Sequence, residues 1–147
     1  LLLFLPQTGM VTAADLGDTN DIHPKRKREV GERLAELALQ IAYGMETQYA
    51  LVRVQKIVPT EKGLILEVEH GEGLYSIVEE IPDFEIVTPD SEVIPQQVIL
   101  QEDRILFPYA LPEQTAWVRY GWSNDPLLTV YNRNGNPLLP FRLRHHG

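Results

Sequence analysis

The side chains best suited to chemistry lie in one short stretch, Asp15-Leu16-Gly17-Asp18-Thr19-Asn20-Asp21-Ile22-His23-Pro24. An imidazole acts as a general base when one ring nitrogen is free to take a proton and an acceptor holds the other. That acceptor fixes the tautomer and stabilises the imidazolium. Asp18 and Asp21 both lie close enough to His23 in sequence to supply it. Plainer roles fit the same residues: His23 at a helix entrance with no chemistry, and Asp18 and Asn20 as turn formers. A metal site on Asp18, Asp21 and His23 is a further option, although the spacing matches no standard loop. An EF-hand is excluded, because His23 stands where that loop needs glycine. Thr19 could be a nucleophile, but threonine nucleophiles rely on an N-terminal amine.

The elements that must position this stretch can be read on either side of it. Met10 to Leu16 is small and apolar and ends in Asp15-Leu16-Gly17-Asp18, which predicts a buried strand running into a polar loop. Beyond it, Val30, Leu34, Leu37, Ala38, Ile41 and Ala42 follow one helical face. Pro24 suits the first helical position and Gly44 a helix stop. A histidine at the start of a helix, just past the carboxyl end of a strand, sits where α/β enzymes place catalytic groups. Lys25, Arg26, Lys27 and Arg28 occupy the first turns, where the macrodipole disfavours positive charge. Other contacts must therefore hold that end; the run reads as a solvated basic face, with an acidic partner surface as the alternative.

From Tyr49 onward the pattern is of strands. Leu51 to Val58, Leu64 to Val68, Phe84 to Val87, Val93 to Leu100, Arg104 to Phe107 and Ala116 to Trp122 are the predicted runs. Eleven prolines punctuate the chain, and the spacing suits a sandwich of antiparallel sheets. Alternation puts Trp117 and Arg119 on one face and Val118, Tyr120 and Trp122 on the other, so one set is expected in the core. The sharper alternative is a sugar-stacking platform at Trp122, with Asn124 on the next loop adding hydrogen bonds. Arg142, Arg144, His145 and His146 read as a frayed tail.

Composition bounds these readings. The 147 residues suit one domain, or one and a fraction, and 44% apolar with 23% charged residues is a globular balance. No apolar run approaches the roughly 20 residues of a membrane helix, so no span is expected. The absence of cysteine excludes disulfides, thiolate zinc sites and a cysteine nucleophile but leaves the compartment open. A net charge of −8 argues against a general nucleic-acid binder, whose footprint would be basic. Residues 59–103 carry twelve acids and one base. The acids lie mostly between apolar positions, as on the outer face of a sheet, and no EF-hand string supports a calcium site.

Two blocks carry a family resemblance. Asp15-Leu16-Gly17-Asp18, Asn20 to Lys25, Lys27 and Val30-Gly31-Glu32-Arg33-Leu34-Ala35 resemble the histidine-bearing block of the sialate O-acetylesterase family. These are SGNH-type carbohydrate esterases related to acetylxylan esterases. About 95 residues later, Val118 to Trp122, Asn124, Pro126, Leu128, Tyr131-Asn132, Asn134-Gly135, Pro137 and Pro140-Phe141-Arg142 resemble its C-terminal signature. Leu5-Pro6-Gln7-Thr8-Gly9-Met10 resembles the stretch leading to the family's last sheet strand.

The resemblance implies hydrolysis of O-acetyl esters on a sugar by a serine nucleophile, with no metal or organic cofactor. His23 would be the base, and backbone and Asn or Gly donors would hold the oxyanion. In SGNH enzymes generally an Asp three residues before the histidine orients it, and that slot holds Asn20, which offers no carboxylate. Asp18 or Asp21 would then orient His23, with Asp15 a more distant candidate. Ser76, Ser91 and Ser123 lack nucleophile-turn surroundings, so the nucleophile block would precede residue 1, and the start at Leu1 to Leu5 would cut through the esterase fold. The expected architecture is α+β. Residues 1–47 would be the C-terminal strand, loop and helix of an α/β SGNH domain, and residues 48–147 a β-sandwich-like domain. The partners implied are an O-acetylated carbohydrate and the remainder of the esterase, in a periplasmic or secreted setting. A non-catalytic carbohydrate-binding or accessory module is the alternative.

Overall fold

The computed structural model describes residues 5–23 and 25–145, which divide into two compact units, Leu1–Leu51 and Val52–Gly147. Pro24 and His146, assigned above to the first helical position and to the tail, lie outside the described residues.

The first unit is built on one helix, α1 (Lys27–Tyr43), which ends as expected at Gly44 in the left-handed conformation, φ 64°. Its start is later than the Pro24 expectation. Asx turns at Asp18 and Asp21 bend the backbone up to His23, and Arg26 (φ −81°, ψ 46°) is not yet helical. The basic first turn is held by side chains: Arg26 reaches Glu29 at 2.9 Å and the Asp15 carbonyl at 3.3 Å, and Arg28 reaches Glu32 at 2.7 Å. These pairs are exposed and individually weak.

The strand expected at Met10–Leu16 does not form. A strand needs a ladder partner, and among the described residues of this unit no other extended segment offers one. Side chains on α1 hold the segment instead. Arg33 donates to the Thr12 carbonyl at 2.8 Å and to both Asp15 carboxylate oxygens at 2.7 Å. Gly9 lies so close that a Cβ there would come within 2.6 Å of Leu37 and 2.7 Å of Ile41. On the return, Gln40 donates to Thr47 at 2.6 Å and to the Tyr49 carbonyl at 2.8 Å, and Glu36 accepts the Tyr49 N–H at 2.7 Å. Arg33, Glu36 and Gln40 share a helix face through their i, i+3, i+7 spacing. The apolar stripe read from the sequence is only partly covered: α1 carries no buried residue, and Leu34 is 51% exposed.

Among its described residues the second unit carries ten strands: β1 (Arg53–Thr60), β2 (Gly63–Glu69), β3 (Tyr75–Ser76), β4 (Phe84–Val87), β5 (Val93–Pro95), β6 (Ile99–Gln101), β7 (Arg104–Phe107), β8 (Trp117–Tyr120), β9 (Val130–Tyr131) and β10 (Phe141–Arg144). They pair antiparallel in two four-stranded sheets, β1-β2-β7-β6 and β10-β8-β4-β5, with β3-β9 as a separate pair. The molecule is thus mixed α+β, with one α-helix and mostly sheet among the described residues. Leu64, Leu66, Ile105 and Phe107 from the first sheet and Phe84, Ile86, Val118 and Tyr120 from the second belong to one buried cluster. Phe84 joins the two sets, edge-on to Phe107 at 5.7 Å and stacked on Tyr120 at 4.3 Å.

The run Val93–Leu100, read as one strand, is two, because the chain leaves the second sheet after Pro95 and enters the first at Ile99. Pro95 has no N–H to continue a ladder. The β1-β2 hairpin turns so tightly against β7 that a Cβ on Gly63 (φ +144°) would lie 2.0 Å from the Phe107 carbonyl oxygen. The described part of the tail, up to His145, is paired rather than frayed. Arg142 and Arg144 are on β10, paired with β8, and His145 is 8% exposed with its N–H donating to the Ala116 carbonyl at 2.9 Å.

Candidate active site

The loop before α1 brings His23 and Asp21 together. The Asp21 Oδ1 atom accepts the His23 backbone N–H at 2.8 Å and lies 3.6 Å from the imidazole Nδ1. The second separation is longer than a hydrogen bond. The two side chains are 78% and 42% exposed, which leaves the imidazole accessible to a reactant. A short rotation would make Nδ1–H a donor to this carboxylate and leave Nε2 for proton transfer.

The other candidates serve the loop. Asp18 Oδ1 accepts the Asn20 N–H at 3.0 Å, and its carbonyl accepts the Asp21 N–H at 3.2 Å, which is turn chemistry. Asp15 is committed to Arg33 in a two-pronged ion pair at 2.7 Å, with the carboxylate 1% and the guanidinium 12% exposed. This pair ties the front of the loop to α1, and Arg26 adds its bond to the Asp15 carbonyl. Arg33 was quoted above only as part of a motif. Its role was not legible, because an arginine at that helical position looks like any solvated one. Thr19 and Asn20 are exposed. Among the described residues no three His, Asp or Glu side chains converge as a metal cage would.

Trp122 and Asn124 belong to the second unit. Alternation assigned Trp122 to the face of Val118 and Tyr120. Those two are fully buried, but Trp122 is 51% exposed. Gly121 has φ +58°, which turns the chain after β8 and breaks the strand period. Trp122 therefore comes within 5.9 Å of the Arg142 guanidinium, which stacks on Trp117 at 4.1 Å. Asn124 is exposed on the following loop.

Much of the C-terminal block is structural. The Tyr120 hydroxyl accepts the buried N–H groups of Thr129 at 3.0 Å and Val130 at 3.3 Å, and burial pushes its phenol up from the ordinary value. Asn132, 1% exposed, accepts the N–H groups of Asn134 and Asn136 at 3.0 and 2.9 Å and donates to the His70 carbonyl at 2.9 Å. A groove of about 480 Å³ is lined by Glu79, Glu80, Ile81, Pro82, Gln97 and Val98, with no histidine or serine among them.

An exposed imidazole beside a carboxylate, on a loop entering a helix, is an arrangement suited to general-base chemistry. Neither a family model nor a curated protein matches the sequence. A solved structure does: the crystal structure of a carbohydrate acetylesterase from Xanthomonas citri superposes with a TM-score of 0.78 and 30% sequence identity over 88% of this chain. The match covers 31% of that protein, so the chain spans about a third of its length. The likeness supports kinship with carbohydrate esterases. Among the described residues no helix is long and apolar enough to cross a membrane.

Proposed function

We propose that the chain is part of an SGNH-type carbohydrate O-acetylesterase, similar to the sialate O-acetylesterases, in which His23 is the general base. The observation that carries the reading is the likeness to a carbohydrate acetylesterase over 88% of the chain. The histidine block at Asp15–Ala35 supports it from the sequence side. In this reading residues 1–47 close an α/β esterase domain and residues 48–147 form a sandwich-like domain. The antiparallel sheets with a shared core support the second part.

Asp21 is the carboxylate that orients His23 in this reading, because its Oδ1 lies 3.6 Å from the imidazole Nδ1, whereas Asp15 is held by Arg33. His23 takes the proton of a serine hydroxyl as the oxygen attacks the acetyl carbonyl, then returns it to the departing sugar oxygen. It next takes a proton from the water that attacks the acetyl-enzyme and delivers it to the departing serine oxygen, so that acetate leaves and the free hydroxyl is restored. The serine belongs to a nucleophile turn that these 147 residues do not carry. The test is acetate release from O-acetylated oligosaccharides by the full-length protein. His23→Ala is expected to lower kcat by at least about 100-fold, the lower range of general-base contributions. Near-native turnover by that variant would overturn the assignment. Asp21→Asn is expected to lower kcat and Asp18→Asn to leave it nearly unchanged.

The reading of this chain as a carbohydrate-binding module without catalysis is favoured by one observation, the exposed Trp122 beside Arg142.

A further inference from the structure

The outer face of the sheet β10-β8-β4-β5 concentrates positive charge on a unit that is otherwise acidic. Residues 52–147 hold fourteen acids and eight bases. Three of those bases, Arg119, Arg142 and Arg144, lie on this one face, where β10 pairs with β8 and sets Arg142 opposite Arg119 and Arg144 opposite Trp117. Glu85 on β4 neutralises Arg119 at 2.5 Å. Among the described residues no carboxylate pairs with Arg142 or Arg144, and both are exposed.

These two arginines are steadied by aromatic rings instead. The Arg142 guanidinium sits 4.1 Å from the Trp117 ring centre and 5.9 Å from that of Trp122, and Arg144 sits 5.9 Å from Trp117. A stacked guanidinium uses its face for the indole and keeps its in-plane N–H donors for a carboxylate. Trp122, 51% exposed, offers a large apolar surface next to those donors. Asn124 on the adjoining loop adds an uncharged donor and acceptor. Arg142 and Arg144 are two residues apart on one strand, about 7 Å along it. A ligand that carries carboxylates at regular intervals meets both.

We propose that this ledge binds a uronate-bearing polysaccharide: pyranose faces lie against Trp122, and successive carboxylates engage Arg142 and Arg144. The saccharide class rests on the carbohydrate-esterase reading, whereas the selectivity for an anionic chain rests on the arginines alone. The site would hold an esterase on an acidic polymer.

The test titrates the full-length protein by calorimetry with an oligogalacturonate, with the methyl ester of the same oligomer, and with an oligoglutamate of similar charge. Saturable binding of the oligogalacturonate is expected, with the methyl ester and the oligoglutamate each at least about tenfold weaker. Arg142→Gln should lose about tenfold for the oligogalacturonate and change the methyl ester little, while Trp122→Ala should weaken both sugars. Both side chains are exposed, so the far-ultraviolet spectrum should stay parental. Absent binding, equal affinity for the methyl ester, equal affinity for oligoglutamate, or unchanged binding in both variants would each overturn the proposal. No arm requires ester cleavage, so this result and that of His23→Ala are read separately.

Discussion

Replacing Arg33 by methionine removes the cation that holds the front of the His23 loop. Its two bonds to Asp15 and its bond to the Thr12 carbonyl, all at 2.7 to 2.8 Å, disappear together. The Asp15 carboxylate, 1% exposed, then loses the Arg33 guanidinium. Breaking a buried pair from one side in this way costs about 3–5 kcal/mol, far above the value below about 1 kcal/mol of an exposed pair. The same reasoning makes a sharper statement about the double variant. Arg33→Met with Asp15→Leu removes both charges, so its stability should return to within about 1 kcal/mol of the parent. The assay is urea unfolding followed by the helical far-ultraviolet signal, to which α1 contributes as the one α-helix among the described residues. A loss below about 1 kcal/mol for Arg33→Met, or a double variant as unstable as the sum of the two single ones, would refute the claim that this pair anchors the loop.

Tyr120→Phe removes the acceptor of two N–H groups on residues with no exposed surface, Thr129 and Val130. The expected loss is about 1–3 kcal/mol, seen as a fall in the melting temperature of about 4–8 °C per kcal/mol by tryptophan fluorescence, because both tryptophans lie in residues 52–147. An unchanged melting temperature would contradict it. Glu69 on β2 is hydrogen-bonded by Arg53 on β1 and by Gln55, which holds its carboxyl below the ordinary 4.5. The unfolded chain therefore takes up this proton first as pH falls. The contribution of the pair is complete above about pH 4.5 and fades below it. Glu69→Gln should flatten that part of the acid limb of stability against pH, and identical limbs for parent and variant would refute the linkage.

The local reading of the sequence succeeded where a pattern depends on near neighbours. The 3.6-residue period from Val30 and the glycine at position 44 announced α1 and its end, because both signals lie within the helix itself. The runs at Leu64–Val68, Phe84–Val87 and Arg104–Phe107 were legible as strands for the same reason, since β-branched and aromatic residues there sit between turn formers. It failed at Met10–Leu16, where the composition of a strand was present but the described residues of the unit offer no pairing partner. It failed also at Val93–Leu100, where Pro95 divides an apolar run between two sheets. His145 was assigned to a loose tail, although β10 carries it into register beside β8.

The candidate site divides in the same way. By itself the sequence determined that His23 stands among carboxylates on a loop before a helix, because residue types and short spacings are local properties. What the tertiary structure added is the commitment of Asp15 elsewhere. Asp15 meets Arg33 eighteen residues away, Asp18 folds back on its own turn, and Asp21 is left within 3.6 Å of Nδ1. The tryptophans follow the same rule. Their presence was plain, but the left-handed Gly121 and the β8-β10 register decided that Trp122 leaves the core and joins Trp117 and Arg142 on an exposed face. A backbone angle at one glycine and a pairing across more than twenty residues are not encoded in any window of the chain. They are fixed only when the sheet closes and every strand has found the neighbour that satisfies its hydrogen bonds.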